Sequence, residues 1–293
     1  MSALRLRDRL LDVEAPVLMG IVNASPESFS DGTSIGGLDR QSALARRLVE
    51  EGADIIDVGG ESGVTDVAPI SAAEEIRRVV PLIERLAGDG MTVSVDTWKA
   101  EVARAAIEAG AVMVNDVSGL RDERIAELCA ESGAALVLMH TKAPPKTKVF
   151  PAYGDVVSEV RGYLIERMRR VEALGVEREQ VVIDPGPDFA KTPAETVEVL
   201  GRLSELQELA RPILLAASRK DFIGAITGRP PRERHAGTLA AIGAGLDGGA
   251  SIIRVHEVAA ARDYIAVRAA LNGERRLDPE TRLAPELRRE RGA

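Results

Sequence analysis

The sequence contains few cysteine, histidine and aromatic residues. Of its 293 residues, one is cysteine (Cys129), three are histidine, and only 3% are Phe, Trp or Tyr. A single cysteine excludes an intrachain disulfide and a thiolate metal cluster. The three histidines are too dispersed to indicate a histidine metal site by their spacing. We therefore expect a core of Val, Ile, Leu and Ala, and a location in the reducing cytoplasm.

An excess of positive charge and long apolar runs are also absent. The chain has 38 Lys and Arg against 46 Asp and Glu, a formal net charge of −8, and this disfavours nonspecific attraction to nucleic acid or anionic membranes. No stretch approaches the roughly 18 apolar residues of a membrane span, and the first residues lack a signal-peptide core. We expect neither nucleic acid nor membrane as a partner, so any phosphate must be bound by a local site.

Eight short apolar runs alternate with segments of helical periodicity, which is typical of a parallel sheet with crossover helices. The runs are Val17 to Val22, Ile55 to Val58, Thr92 to Val95, Val112 to Val114, Ala135 to Met139, Val181 to Ile183, Ile213 to Ala216 and Ser251 to Val255. The predicted fold is α/β, a single (β/α)₈ TIM barrel over residues 1–273, because such barrels reach about 250 residues as one domain. We interpret residues 274–293 as a charged tail without a catalytic role, and 31–39 and 142–153 as loops.

Polar side chains lie at or just after the carboxyl end of every one of these runs. They are Asn23, Asp57, Glu61, Asp96, Asn115, Asp116, His140, Asp184, Ser218, Arg219, Lys220, Arg254 and His256. In a (β/α)₈ barrel the active site lies at the carboxyl ends of the strands, so these residues are the candidates for it. For any one of them a helix cap or a structural hydrogen bond is an equally good interpretation.

These polar residues divide into two kinds. The acceptors and amide are Asp96, Asn115 and Asp184, and the cationic donors are Lys220, Arg254 and His256. The division predicts a ligand with two unlike ends. A heterocycle with adjacent N–H donors would suit the carboxylates. A phosphate or pyrophosphate would suit Arg254 and His256, with Asn23 and a divalent cation helping to neutralise it.

Seven longer motifs contain most of these residues. They are Met19 to Asp31 (MGIVNASPESFSD), Gly52 to Ser62 (GADIIDVGGES), Ser94 to Thr97, Val114 to Gly119, Ile183 to Gly186, Ser218 to Lys220 and Arg254 to His256. With these motifs in this order, the chain resembles the dihydropteroate synthases from about Pro16 to Leu271. The resemblance implies a transferase of folate biosynthesis that joins 6-hydroxymethyl-7,8-dihydropterin pyrophosphate to p-aminobenzoate and releases pyrophosphate.

The resemblance also implies roles for individual residues. The substrate-binding residues would be Asp96, Asn115, Met139, Asp184, Phe189, Lys220, Arg254 and His256, with Asp57, Asp96 and Lys220 as catalytic residues and Asn23 as a ligand of Mg²⁺. Departure of pyrophosphate leaves positive charge on the pterin methylene, so a carboxylate of Asp57 or Asp96 and a cation on the leaving group would both lower the barrier. No protein nucleophile is needed.

The sequence departs from the family where the second substrate would bind. Gly63-Val64-Thr65-Asp66 stands where the family has Thr-Arg-Pro-Gly, so this loop has lost an arginine. Asp221 replaces the serine that receives the carboxylate of p-aminobenzoate, and Asp188 replaces a small residue beside Phe189. A like charge there would repel a substrate carboxylate, unless Asp221 caps the helix and points away. We expect an intact pterin half and an altered arylamine half.

Three other functions fit parts of this pattern. One is a paralogue that uses another amine or has weak synthase activity. Another is a pterin-binding methyltransferase domain of the corrinoid-linked type, against which the retained Arg254 and His256 argue. The third is a non-enzymatic regulatory or scaffold role.

The remaining expectations concern packing. Cys129 lies in a helical pattern and is expected to pack as a small hydrophobe. His140 fits either the mouth of the barrel or a structural role, and His235 a local cap or contact. Segments 232–245 and 265–271 suit either a homodimer interface or packing within the barrel.

Overall fold

The computed structural model describes residues 3–24, 37–61, 68–284 and 287–288. The strands are β1 (Ala3–Leu6), β2 (Arg9–Asp12), β3 (Val17–Asn23), β4 (Ile55–Gly59), β5 (Val93–Asp96), β6 (Met113–Asp116), β7 (Ala135–Met139), β8 (Val181–Asp184), β9 (Leu214–Leu215) and β10 (Ile252–Val255). The α-helices are α1 (Gly37–Glu50), α2 (Ala72–Gly88), α3 (Ala100–Glu108), α4 (Arg124–Ser132), α5 (Val156–Ala173), α6 (Pro193–Gly201), α7 (Asp221–Thr227), α8 (His235–Asp247) and α9 (Val258–Leu271). Short 3₁₀ helices cover Arg178–Gln180, Leu203–Leu209 and Pro231–Glu233.

Eight parallel strands form one sheet in the order β8-β7-β6-β5-β4-β3-β10-β9. A parallel bridge between Ile183 and Ile213 joins the two ends of this order, and the amide of Ile183 donates to the carbonyl of Pro212 at 3.0 Å. The predicted (β/α)₈ barrel is therefore confirmed. All eight predicted strands begin and end within two residues of the observed ones, and the shortest observed strand of the barrel is Leu214–Leu215.

An antiparallel hairpin of β1 and β2 precedes the barrel and was not predicted. The side chains of β1 alternate in burial, with Leu4 and Leu6 buried against apolar side chains inside the barrel, such as Met113 and Ala135. The charged residues between and after these leucines concealed the alternation in the sequence. The hairpin covers the amino-terminal end of the barrel, so a ligand must enter at the carboxyl ends of the strands.

The helices pack around the sheet through a second apolar cluster, which includes Cys129 at 0% exposure. The prediction that this cysteine packs as a small hydrophobe is confirmed, and burial raises the pKa of its thiol. Helix α6 begins with a capping box, in which the Thr192 hydroxyl accepts from the amide of Glu195 and the Glu195 side chain accepts from the amide of Thr192. Among the described helices, none has both the length and the apolar content to cross a bilayer.

The loops and the tail can be compared with prediction only in part. Residues 142–153 contain no helix or strand, as expected. In the Gly-rich segment 31–39, residues 37–39 belong to α1, and the rest lie outside the described residues. The described residues 274–284 of the tail contain no helix or strand and are almost all exposed.

Candidate active site

An arginine between two carboxylates forms the centre of the barrel mouth. Arg254, from β10, donates from Nε to Oδ2 of Asp57 at 2.6 Å and from Nη2 to Oδ2 of Asp96 at 2.7 Å. Asn115, from β6, donates from Nδ2 to the same oxygen of Asp57 at 3.0 Å. Four residues separated by up to 197 positions in sequence thus meet because their strands end at the same edge of the barrel.

This centre is nearly closed to solvent. The Asp57 side chain is 0% exposed, and those of Asp96 and Arg254 are about one-fifth exposed. Two buried acceptors, Oδ1 of Asp57 and Oδ1 of Asn115, have no hydrogen-bond partner in the described part of the chain. Buried acceptors are almost always satisfied in folded proteins. The two free oxygens therefore mark a place for N–H donors of a ligand.

A third carboxylate and a lysine lie on the other side of the mouth. Asp184, at the end of β8, is 2% exposed, and its Oδ1 accepts from the amide of Gly186 at 2.7 Å. Gly186 has φ +65°, and a Cβ placed on it would lie 2.2 Å from the carbonyl oxygen of His140, so no other residue fits this turn. Lys220 holds its Nζ 4.2 Å from the ring centroid of Phe189.

Burial dominates the protonation of these groups. It raises the pKa of Asp96 to about 7, opposed by Arg254 and aided by Asp57, and it raises the pKa of Asp184 to about 6. Burial lowers the pKa of Lys220, although Asp188 and Asp184 oppose it. For Arg254, burial acts to lower the pKa, but Asp57 and Asp96 outweigh it and the pKa is raised. The two raised carboxyl pKa values indicate groups that would be stabilised as anions by a ligand with N–H donors.

His256 lies next to this centre and bonds to Ser218. Its Nδ1 is 2.8 Å from the Ser218 hydroxyl oxygen, and burial, followed by the charges of Arg219 and Arg254, lowers its pKa to about 4. The ring is therefore neutral at neutral pH. Burial among cations thus disfavours the imidazolium form of His256 in the ligand-free protein, and the predicted binding of pyrophosphate by this residue stays a prediction.

Asn23 ends β3 at the same level as Asp96. The strand register pairs Asn23 with Gly59 and Gly59 with Asp96. Its side chain is exposed, and a Cβ placed on Gly59 would lie 3.7 Å from Asn23 Oδ1. A carboxamide at the mouth is of the ligand type that suits Mg²⁺, which keeps several waters and takes its other ligands from substrate phosphates.

Three of the strand-end candidates have structural contacts instead. Glu61 is paired with Lys99 at 2.6 Å and with Lys146 at 2.7 Å. Asp116 accepts from the amides of Ser118 and Leu120 at 2.7 and 2.8 Å. His140 is fully buried, with its Nδ1 2.7 Å from the Nζ of Lys191. For these residues the interpretation as structural hydrogen bonds is the correct one.

Lys191 was not found from the sequence. Its side chain is 1% exposed, and Nζ donates to the carbonyls of Gly186 and Phe189 at 3.0 and 3.2 Å. Burial lowers the pKa of Lys191 to about 7. Its hydrogen bonds to the two carbonyls fix the turn that contains Asp188 and Phe189. A lysine in a polar stretch gives no sequence signal of burial, since lysine is almost always exposed.

His235 and Met139 complete the comparison with prediction. His235 begins α8 without capping it, and its Nδ1 is 3.4 Å from Glu257 Oε1. Met139 is buried at the end of β7, in register with Asp184, and its Cγ would be 3.2 Å from a Cβ on Gly186. Met139 thus lies directly behind the turn after β8.

Asp188 and Asp221 make different contacts at the start of α7. Asp188 Oδ2 accepts from the backbone amides of Asp221 and Phe222 at 2.5 and 3.3 Å. The Asp221 side chain is 63% exposed and pairs with Arg234 at 3.1 Å and with Lys148 at 3.4 Å. The alternative that Asp221 caps its helix is wrong, because Asp188 provides the cap from another loop. Val64 lies outside the described residues, so the effect predicted for it stays a prediction.

A cavity of about 450 Å³ adjoins this site, which is within the range of small-molecule pockets. Lys220 and Phe189 line the cavity on the side of the buried carboxylates. Asp188, Asp221 and Lys148 line it as well. We refer to it as the acceptor cavity. The acceptor cavity, bordered by Phe189 and Lys220, thus lies beside the buried carboxylates of the mouth.

A (β/α)₈ barrel with this polar mouth defines a class, that of barrel enzymes acting on a small polar ligand at the carboxyl ends of the strands. Residues 19–256 match the family described as "Pterin binding enzyme". The chain belongs to this family.

Relatives and solved structures agree with the assignment. The chain is 39% identical over 247 residues to the dihydropteroate synthase of Bacillus subtilis (strain 168), covering 84% of this chain and 85% of the relative. The Xanthomonas albilineans dihydropteroate synthase with 4-aminobenzoic acid superposes with a TM-score of 0.87 at 42% identity, over 92% of this chain and 98% of that one. The same enzyme in complex with 7,8-dihydropteroate gives a TM-score of 0.84 over the same shares.

Proposed function

We propose that the protein is a dihydropteroate synthase that condenses 6-hydroxymethyl-7,8-dihydropterin pyrophosphate with p-aminobenzoate in folate biosynthesis. The observation that carries the proposal is the meeting of Asp57, Asp96, Asn115 and Arg254 in one nearly closed centre. Two of its own buried acceptors, Oδ1 of Asp57 and Oδ1 of Asn115, have no partner among the described residues. The family and the relatives at about 40% identity support the same reaction.

The pterin would lie between the two groups of carboxylates. Its guanidine-like edge supplies paired N–H donors, which match a carboxylate and the free oxygen of Asn115. Asp184 and Lys220 would bind the opposite part of the ring, and Met139 supports the wall behind them. Binding of N–H donors would lower the pKa values of Asp96 and Asp184 and hold both as anions.

The reaction breaks one C–O bond and forms one C–N bond. The pyrophosphate leaves the pterin methylene with the electron pair of the C–O bond, and the amine nitrogen then attacks that carbon and loses a proton. Positive charge on the methylene in the transition state would be stabilised by the carboxylates of Asp57 and Asp96. Lys220, whose Nζ lies 4.2 Å from the ring centroid of Phe189, would bind and position the pterin ring.

The pyrophosphate would bind at the cationic side of the mouth. For this, Arg254 must exchange one of its two carboxylate partners for a phosphate oxygen, which its planar donor arrangement allows. His256 is neutral without ligand and would donate a neutral N–H or take up a proton as the anion binds. Asn23 would hold Mg²⁺ together with the pyrophosphate, and the cation would neutralise the leaving group.

The assignment is tested with the purified protein. Calorimetric titration with the pterin pyrophosphate and Mg²⁺ should show binding, and p-aminobenzoate should then trigger pyrophosphate release with dihydropteroate detected by mass spectrometry. Asp184→Asn should weaken pterin binding by about tenfold, as expected for loss of one charge-assisted hydrogen bond. Asp247→Asn, at an exposed aspartate of α8, is the matched control. Absence of pterin binding in the wild type would refute the assignment.

Assembly and location are further parts of the proposal. We propose a homodimer in the cytoplasm, with the interface on α8 and α9. Support comes from Val267 and Leu271 of α9, whose side chains are 60% and 82% exposed, and from the single buried cysteine, which suits a reducing compartment. Light scattering of the purified chain at micromolar concentration tests the dimer, and a monomer mass would exclude it.

A further inference from the structure

Three cationic side chains among the described residues line the acceptor cavity, and they differ in their partners. Arg219 is bonded to Glu257. Lys220 lies at the end of the cavity next to the carboxylates of the mouth, without one of them in ion-pair contact. Lys148 lies at the open end, where its side chain is exposed and its Nζ is 3.4 Å from Oδ2 of Asp221. Each end of the cavity therefore has a lysine.

The backbone amides at the start of α7 are already occupied. Asp188 Oδ2 accepts from the amides of Asp221 and Phe222 at 2.5 and 3.3 Å. Its Oδ1 accepts from the hydroxyl of Thr196 at 3.2 Å, so the charge of Asp188 is balanced within the protein. A ligand carboxylate that enters the cavity is therefore bound by a side-chain cation and not by these amides.

Asp221 keeps a cationic partner when Lys148 turns to a ligand. Its Oδ1 lies 3.1 Å from Nη1 of Arg234, whose side chain is 10% exposed. The same nitrogen donates to the carbonyls of Arg219 and Lys220 at 2.8 and 3.0 Å, so Arg234 is fixed. The side chains of Lys148 and Asp221 are 59% and 63% exposed, and exposed ion pairs of this kind contribute little to stability. Lys148 can therefore exchange Asp221 for a ligand carboxylate at little cost.

The loop that contains Lys148 is anchored just before this residue. The side chain of Lys146 is 5% exposed and pairs with Glu61 at 2.7 Å. The amide of Thr147 donates to the carbonyl of Pro144 at 3.2 Å, which closes a turn directly before Lys148. The anchored turn holds the backbone of Lys148 at the cavity, while the exposed side chain can change its partner.

We propose that Lys148 is a specificity-determining residue for the second substrate, because it binds the carboxylate of p-aminobenzoate at the open end of the acceptor cavity. The amine and the carboxylate lie at opposite ends of this substrate. When the amine faces the pterin methylene, on the side of Lys220, the carboxylate points toward Lys148. The aromatic ring then lies between Phe189 and Val149, which both line the cavity. This inference rests on the proposed synthase reaction and names the residue that selects a carboxylate in its acceptor.

The test separates recognition of the carboxylate from the shape of the cavity. Formation of dihydropteroate is measured at saturating pterin pyrophosphate and Mg²⁺, which gives the KM of p-aminobenzoate and the inhibition constant of 4-aminobenzamide, its uncharged analogue. Lys148→Met should raise this KM by about tenfold with kcat nearly unchanged, as expected for loss of one charge-assisted hydrogen bond. The inhibition constant of 4-aminobenzamide should change by less than about twofold, as for an ordinary surface substitution. Lys148→Arg, which keeps the charge, should retain most of the affinity for p-aminobenzoate.

Lys142→Met is the matched control, because Lys142 belongs to the same loop but pairs with Glu159 outside the cavity lining. It should leave both constants as they are. Equal rises of both constants in Lys148→Met would show that this side chain shapes the loop and does not recognise the carboxylate, and would overturn the inference. An unchanged KM of p-aminobenzoate would overturn it as well, while leaving the synthase assignment intact. If the wild type neither binds the pterin pyrophosphate nor forms dihydropteroate, both proposals fall.

Discussion

The guanidinium Nε of Arg254 lies 2.6 Å from Oδ2 of Asp57, a carboxylate with no solvent exposure. Breaking a buried ion pair by removing one partner is strongly destabilising. We therefore expect Arg254→Met to lower the free energy of unfolding by about 3 kcal/mol and to abolish pyrophosphate release. Denaturant unfolding followed by circular dichroism measures the first effect, and a coupled phosphate assay measures the second.

The double variant Asp57→Asn with Arg254→Met separates the effect of the lost ion pair from the effect of the lost arginine side-chain packing. Removing both charges should recover a large part of the stability lost in Arg254→Met, although activity should stay absent. Additive losses in the double variant would mean that the pair is not coupled in the way its geometry indicates.

The pH dependence of pterin binding follows from the raised pKa values of Asp96 and Asp184. Below about pH 7 the free Asp96 carboxyl is protonated, and below about pH 6 so is Asp184, whereas bound N–H donors require both as anions. The association constant should therefore rise with pH, by up to one log unit per pH unit between pH 6 and 7, and level off above. Calorimetry with 6-hydroxymethyl-7,8-dihydropterin, which lacks the titrating pyrophosphate, measures this.

Asp96→Asn serves as the control for that profile. This variant should bind the pterin more weakly at pH 8. Its association constant should no longer rise between pH 6 and 7, because the carboxyl group that titrates there is gone. Binding that strengthens toward acid pH in the wild type would contradict the assignment of these carboxylates as acceptors.

Because of Lys191, the free energy of unfolding should vary with pH in the alkaline range. Its pKa falls from 10.5 to about 7 on folding, so between these values the unfolded chain holds a proton that the folded protein has lost. The unfolded state then binds more protons, and stability rises with pH in this window. The free energy of unfolding of the wild type relative to Lys191→Met should increase by up to about 1.4 kcal/mol per pH unit between pH 7.5 and 9.5.

Lys142→Met, at an exposed lysine, is the matched comparison. It should follow the pH profile of the wild type across the same range. A parallel profile for Lys191→Met would instead show that Lys191 keeps its proton in the folded state.

The proposed Mg²⁺ ligand gives a separate test. Asn23→Ala should raise the Mg²⁺ concentration for half-maximal pyrophosphate release by about tenfold, equivalent to roughly 1.4 kcal/mol, because one of the oxygen ligands is lost. Removal of Mg²⁺ with a chelator should stop turnover. Asn272→Ala, at the end of α9, should leave the Mg²⁺ requirement as it is. An equal shift in both variants would exclude Asn23 as a ligand.

Sequence reasoning recovered the barrel because its evidence is local. Each strand is a short apolar run followed by a polar residue, and closure of eight such units brings the strand ends to one mouth. It failed at the hairpin of Leu4 and Leu6, where charged neighbours mask a two-residue alternation. It also missed Lys191, since burial of a lysine depends on partners 51 and 5 residues away, His140 and Gly186.

The sequence by itself determined the fold class, the family resemblance and the set of polar residues at the strand ends, because period, composition and motif are properties of neighbouring residues. Only the tertiary structure decided which of those residues touch. It joined Arg254 to Asp57 and Asp96, made His256 neutral by burial, and placed Asp188 instead of Asp221 on the amides of α7. Pairing and desolvation act through space, so they are fixed when distant segments pack together.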